Sequence, residues 1–307
     1  MSVHQPLYII AAHGGAGYHS PPSDSSIKRS LRAAISSAIP AFSGATTCSG
    51  TSEPSSSALD ATTAVIVALE DHPDFNAGYG SNLTFDGQVE CDASLMLSTE
   101  DGEKREGHHP ASPSPSPTFS FSFGSVGAVR GVRNPVLLAR CVLEGRRRRD
   151  RDRDRDEEKR SRSRPGMGPR VPPLTLVGEG AIKFARKRGG GGVRVVDAPD
   201  EMVAPRARQE WRVWRERCRH WNDDDDDDDD FESGSGYLPL PLGEQELAEQ
   251  PLRVRQDTVG AVVLVEGGGL DIGLGKRPEV AAGVSRCVCV WYPSTFSLSS
   301  LPGHLSV

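Results

Sequence analysis

The chain has 307 residues and a formal charge of -6, with only 36% hydrophobic and 6% aromatic residues. That length allows one large domain or two small ones, but the lean composition leaves less core-forming material than the length suggests. The charge is a near-cancellation of blocks of opposite sign, so it argues neither for a nucleic-acid-binding protein nor for a strongly acidic one.

The six cysteines, Cys48, Cys91, Cys141, Cys218, Cys287 and Cys289, form no CxxC pair and read as reduced thiols rather than metal ligands or a disulfide framework. No run approaches the ~20 apolar residues that span a bilayer. Leu7 to Ala12 is too short for a signal core. These features predict an intracellular protein, cytoplasmic and/or nuclear, with no membrane partner.

Leu7 to Ala12 reads as a buried strand running into His13-Gly14-Gly15-Ala16-Gly17, where glycines after a strand permit a sharp turn. A helix is predicted over about 27–39, because Ile27, Leu31, Ala34, Ile35, Ala38 and Ile39 fall on one stripe. A second helix, Ala58 to Glu70, is apolar on most faces and so belongs between layers. Asn76 to Ser81 is a turn-rich loop. Leu83 to Phe85, Asp86-Gly87 and Val89 to Met96 read as a β-hairpin. Phe123 to Val132 is an ordered segment. Asn134-Pro135 then suits a helix start that continues through Val136 to Leu143. Leu174 to Val177 is a short strand, followed by a helix over Ala181 to Arg188. Thr258 to Val265 is an apolar, β-branched strand.

Between these lie segments too polar to pack, near 41–57, 99–122, 146–172 and 190–254, which read as disordered insertions. The Arg/Asp alternation from Arg146 onward largely cancels the field that phosphate binding needs, so nucleic acid is not the expected partner. Asp223 to Asp230 lacks the glycine turn and spaced ligands of a calcium loop.

The abrupt step from polar linker to apolar strand at Asp257–Thr258 puts a threonine at the head of a strand, and on composition alone Thr258 reads as an ordinary strand-edge residue. Threonine becomes a nucleophile when a base sits beside it, and its own α-amino group serves once threonine heads a chain. An α-amine has a reference pKa of about 8, close to working pH. The route requires the Thr258 hydroxyl to attack the Asp257 carbonyl, an N-to-O acyl shift, and then ester hydrolysis.

The junction Asp257-Thr258-Val259-Gly260-Ala261-Val262 resembles that of the threonine-nucleophile (Ntn) hydrolases containing plant-type asparaginase/isoaspartyl peptidase, glycosylasparaginase and taspase. His13 to Gly17, Asn76 to Leu83, Glu90 to Met96, Gly127 to Val136 and Leu176 to Ala181 are similar to the family's blocks in the same order. Asp257 before the threonine, Gly17-Tyr18-His19 and Val177-Gly178-Glu179-Gly180-Ala181 are most like taspase.

The resemblance implies an α/β fold, the four-layer αββα sandwich, incomplete in this chain. Residues 1–257 would form the α-chain portion, 258–285 the start of the β chain, and 286–307 a non-family tail. It implies Thr258 as nucleophile and, after cleavage, as base. Asn76, Asp92, Ser94 and Ser285 would stand near the active-site wall. Read without the resemblance, Asn76, Asp92 and Ser94 are ordinary turn or core hydrogen-bonders, and His13 is a packed histidine. In some relatives a sodium ion is held by main-chain carbonyls, which here would lie along Leu69 to Tyr79; no other cofactor or metal is expected.

The main functional reading is a taspase-like endopeptidase that cuts itself and then cleaves peptide or protein substrates after aspartate, as an αβ heterodimer of self-cleaved chains that can dimerise. The alternative is an L-asparaginase/isoaspartyl peptidase acting on small β-aspartyl amides. A reading of another class is a non-catalytic, partly disordered interaction protein. After Val265 the family's substrate-clamping arginine, acidic residue and oxyanion turn have no counterpart, so the chain is expected to be a truncated, inactive form.

Overall fold

Strand β1 (Tyr8–His13) forms where the sequence predicts a strand, but it is not buried: its residues alternate between half-buried and exposed, because among the described residues only one face of the sheet is covered by helices. The computed structural model describes residues 7–14, 21–42, 57–101, 118–157, 173–188, 192–222, 258–265 and 279–287. Helix α1 (Pro21–Ser36) starts earlier than its apolar stripe, with Asp24 in its first turn paired to Lys28 at 2.7 Å. Helix α2 (Ser57–Glu70) buries Ala58, Leu59, Ala61, Val65, Ile66 and Leu69, as its all-round apolarity demands.

The predicted hairpin is not formed. Thr84 and Gln88 close a turn (Thr84 N–H to Gln88 O, 2.8 Å), but residues 83–90 contribute no strand. Strand β2 (Cys91–Asp101) instead pairs antiparallel with β3 (Thr118–Val129). The Phe119-Ser120-Phe121-Ser122-Phe123 alternation has the period of a strand and outcompetes three residues before a turn. Both strands therefore reach into the segment expected to be an insertion.

Helix α3 (Pro135–Glu157) likewise continues past Leu143 into the Arg/Asp tract. Arginine is a good helix former, and extending a helix already formed by Val136 to Leu143 costs far less than starting one. Strand β4 (Thr175–Val177) pairs parallel with β3 and leads into helix α4 (Gly178–Arg188).

Helix α5 (Pro205–Asn222) folds within the segment expected to be disordered. Met202, Val203, Ala204 and Ala207 are buried, and Trp211 Nε1 donates to the Phe85 carbonyl at 3.1 Å. The aspartate run at 223–230 and the junction residue Asp257 lie outside the described residues.

Strands β5 (Thr258–Val265) and β6 (Glu279–Cys287) complete a six-stranded sheet in the order β1-β5-β6-β2-β3-β4, antiparallel except at β4. β6 runs two residues beyond the predicted family boundary at 285, because Arg286 and Cys287 keep pairing with β2. This is a mixed α/β fold, with five α-helices and one sheet among the described residues.

Alternation decides which side each strand residue occupies. Val259, Ala261, Val263, Ala281, Ala93, Leu95, Leu97 and Val126 form the buried side, where α2 crosses β5 and β6 and α3 crosses β2 and β3. Gly124 lets α3 approach β3, because a Cβ there would strike the Ala139 and Leu143 backbone. The other side carries Ile9, Val262, Val280, Val284, Met96, Phe121 and Phe123, all exposed among the described residues. The described residues thus form one sheet with α2 and α3 across a single face, and the four-layer sandwich is not seen among them.

Inside the helical layer, Asp60 of α2 meets Arg140 of α3, both nearly fully buried, and Arg140 also donates to Glu144 at 2.7 Å. Removing one member strands the other charge in a region of low dielectric. Arg140→Ala is expected to lower stability by about 3–5 kcal/mol in denaturant titration, whereas Asp60→Asn with Arg140→Met costs less. Equal losses in the two variants would show that the pair adds nothing beyond packing.

Candidate active site

Thr258 heads β5, half-buried, with its side chain on the exposed side of the sheet. Its partner on β6 is Arg286, and the partner of Arg286 on β2 is Asp92. Thr258, Arg286 and Asp92 therefore share one row, with Asp92 two strand spacings, about 10 Å, from the threonine.

Both carboxylate oxygens of Asp92 are committed. Oδ1 accepts from Ala128 N–H at 2.9 Å, and Oδ2 accepts from Arg286 Nε at 3.2 Å. Ala128 sits at φ 50, a conformation that costs a residue with a Cβ roughly 1–3 kcal/mol. The Asp92 hydrogen bond offsets part of that cost, and a strained backbone held by a polar side chain is a frequent mark of a functional site.

Ser94 lies one row down, opposite Val284, which in turn faces Gly260 of β5. Asp92 and Ser94 are thus brought to the face of Thr258. Ser285 is not: it pairs with Val259, points to the helical side and is fully buried. Asn76 is not either. Its Oδ1 accepts from Asn82 N–H at 2.8 Å and closes the 76–82 turn.

Sequence reasoning missed three groups. Arg286 was assigned to the non-family tail. His13 is exposed on the face of Thr258, with its ring over Gly260 of β5 and no hydrogen-bond partner among the described residues. Glu70 ends an otherwise apolar helix, a position whose oddity could have marked it.

Glu70 is fully buried, its Oε1 accepting from Val136 N–H at the start of α3 (3.1 Å). Oε2 and the Ser285 hydroxyl both lack a hydrogen-bond partner. Burial pushes the Glu70 carboxyl from an ordinary 4.5 up to about 8. The Ser285 hydroxyl, short of a well-formed hydrogen bond, and the Val136 N–H only partly oppose this. Burial also pushes the Cys91 thiol up to about 12, so it is no nucleophile near neutrality.

In the 69–80 loop, the carbonyls of Glu70, His72 and Phe75 crowd the inner side of Gly78 and Gly80, where a Cβ would strike them. Such main-chain oxygens are donors suited to a hard cation. Arg206 of α5 donates to the Pro73 carbonyl (3.1 Å) and the Gly80 carbonyl (2.6 Å) of the same loop. Among the described residues no group of three or more His, Cys, Asp or Glu side chains could hold a metal ion. Nor is any helix there long and apolar enough to cross a membrane.

Residues 6–106 match the family model described as asparaginase. The chain is 33% identical over 183 residues to a plant-type L-asparaginase of Pyrococcus horikoshii, covering 60% of this chain and 42% of that one. It is 30% identical over 207 residues to an isoaspartyl peptidase/L-asparaginase of Danio rerio, covering 67% and 47%. To the Macaca fascicularis protein of the same name it is 44% identical over 88 residues, covering 29% and 22%. The chain thus spans less than half the length of each of these relatives. The class they define is a hydrolase. Over residues 6–106 the chain matches the asparaginase family model, and the relatives it is similar to are plant-type L-asparaginases and isoaspartyl peptidases.

The raised Glu70 value fixes the sign of one pH dependence. Between about pH 4.5 and about pH 8 the folded chain holds a proton that the unfolded chain has lost, so stability falls as pH rises through this window. The total is of the order of a few kcal/mol. Glu70→Gln keeps the acceptor for Val136 N–H and should flatten the slope, measured as denaturation midpoints across the window. An unchanged slope would show that Glu70 is ionised in the fold.

Proposed function

We propose that this chain is the precursor of a threonine-type hydrolase of asparaginase/isoaspartyl peptidase kind. The observation that carries the reading is Thr258 at the first position of a buried strand, facing the row that also holds Arg286 and Asp92. Thr258 attacks the carbonyl of Asp257. The ester that forms is hydrolysed, and the freed α-amino group becomes the base for the same hydroxyl. The substrates are small β-aspartyl amides, in keeping with the names of the relatives.

A taspase-like endopeptidase cleaving after aspartate is the second reading. Aspartate at 257 favours it, because self-cleavage there is itself a cut after aspartate. The names of the relatives speak for the small amides. The two products stay together as an αβ heterodimer through the pairing of β5 with β1, inside a sandwich whose second sheet covers the exposed face. Asp92 and Ser94 form one wall of the site. A sodium ion would be held by main-chain oxygens along Leu69 to Tyr79 and would stiffen that turn.

Self-cleavage requires no added substrate, so it is the step to test first. Mass spectrometry of the purified chain should find a fragment beginning at Thr258, and Thr258→Ala should abolish it. In a version extended to the length of the relatives, the same substitution should lower hydrolysis of L-asparagine and β-aspartyl dipeptide by at least about 10³-fold. A chain that hydrolyses either compound while remaining uncut at Asp257 sinks the mechanism. Faster cleavage of an aspartate-containing peptide than of these amides would select the second reading.

A further inference from the structure

The register of β1 against β5 sets His13 opposite Gly260, two residues along the strand from Thr258 and on the same face. Its imidazole lies over the Gly260 backbone, so that a Cβ at 260 would collide with Nε2 and come within 2.9 Å of Cδ2. Gly14, the next residue after His13, is buried against the Phe75 ring, where a Cβ would strike the ring carbons. Two glycines, one on each neighbouring backbone, thus make room for one ring and for the chain that carries it. Such room is wasted on a side chain that only drifts in solvent.

The His13 ring makes no hydrogen bond and no ion pair among the described residues, although it is exposed. An imidazole offers a donor at one ring nitrogen and, in its neutral form, an acceptor at the other, which matches a carbonyl-bearing group. Thr258 has Arg286 as its neighbour on the β6 side, and Arg286 is tied by Nε to Asp92. The β1 side, next to Gly260, is where His13 stands.

We propose that His13 is a substrate-contacting residue, whose Nε2 hydrogen-bonds the carbonyl-bearing group of an aspartyl or asparaginyl ligand held at Thr258. This rests on the function proposed above, since it takes Thr258 as the reacting group. It goes beyond it in assigning a ligand contact to β1. Gly260 is then needed for the room it leaves above its backbone.

The test uses the full chain with L-aspartate as probe, a product-like compound that is not consumed. The imidazole resonances of His13, identified by their loss in His13→Ala, should shift as L-aspartate is added. His13→Ala should weaken L-aspartate binding by about three- to tenfold, the range for one lost hydrogen bond. His13→Gln should recover most of that loss. Gly260→Ala, which pushes the ring aside, should match His13→Ala. L-aspartate that binds without moving the His13 resonances, equal affinity in His13→Ala, or no binding by the parent chain would each overturn the proposal. A lowered melting temperature without a ring shift would do so too, by marking the role as structural. A ring shift in a chain never cut at Asp257 would sink the proposed self-cleavage and leave the His13 contact standing. A chain that is cut and hydrolyses asparagine with His13 unmoved would do the reverse.

Discussion

The position of β5 between β1 and β6 is the constraint on which the rest depends. Val259, Ala261, Val263 and Val265 must face α2, since nothing else in the strand can fill that side. Once they do, the two-residue period of the backbone sends Thr258, Gly260 and Val262 to the opposite side, whatever else is packed nearby. A slip of one residue would bury the threonine hydroxyl beneath the helices and expose the valines. The apolar face thus sets the direction in which the reactive group points, and the antiparallel register then delivers Arg286 and His13 to its two flanks.

The same alternation explains how a correct list of polar residues divides into two unrelated sets. Ser285 and Asp92 both belong to family-like blocks, yet one lies beneath the sheet beside Glu70 and the other above it in the row of Thr258. Ser285 instead belongs to a buried polar knot with the carboxyl of Glu70, which holds the start of α3. Such a knot is costly unless the carboxyl is neutral, and it joins α2, α3 and β6 at one point.

Much of the fold was legible from residues alone. β1, α2, α4 and β5 each carry an apolar pattern whose period and length suit only one element. What misled was composition read over too wide a window. Ser and Pro between 99 and 118 masked the Phe/Ser alternation that makes β3. Charge density hid that an arginine-rich stretch can prolong a helix already begun by an apolar segment. α5 carries few apolar residues, and it is seated by Ala207, Arg206 and Trp211, whose partners in the 73–87 region cannot be guessed from spacing. Of the site, Thr258 stood out because of the resemblance and the break in polarity before it. His13 and Arg286 could not, because their place beside Thr258 follows from pairings across about 245 and 28 residues.

That separation has a consequence for how the protein comes into being. β1 precedes β5 by about 245 residues, and among the described residues β5 is its neighbour in the sheet. An apolar strand must therefore wait, unpaired, until the segment that carries β5 has been synthesised. During that interval it is open to wrong partners and to chaperones. α1, which packs beside β1 and α2, is the nearest shelter available to it. Assembly of the reactive face is thus a late event, completed only when β5 arrives to fill the gap between β1 and β6.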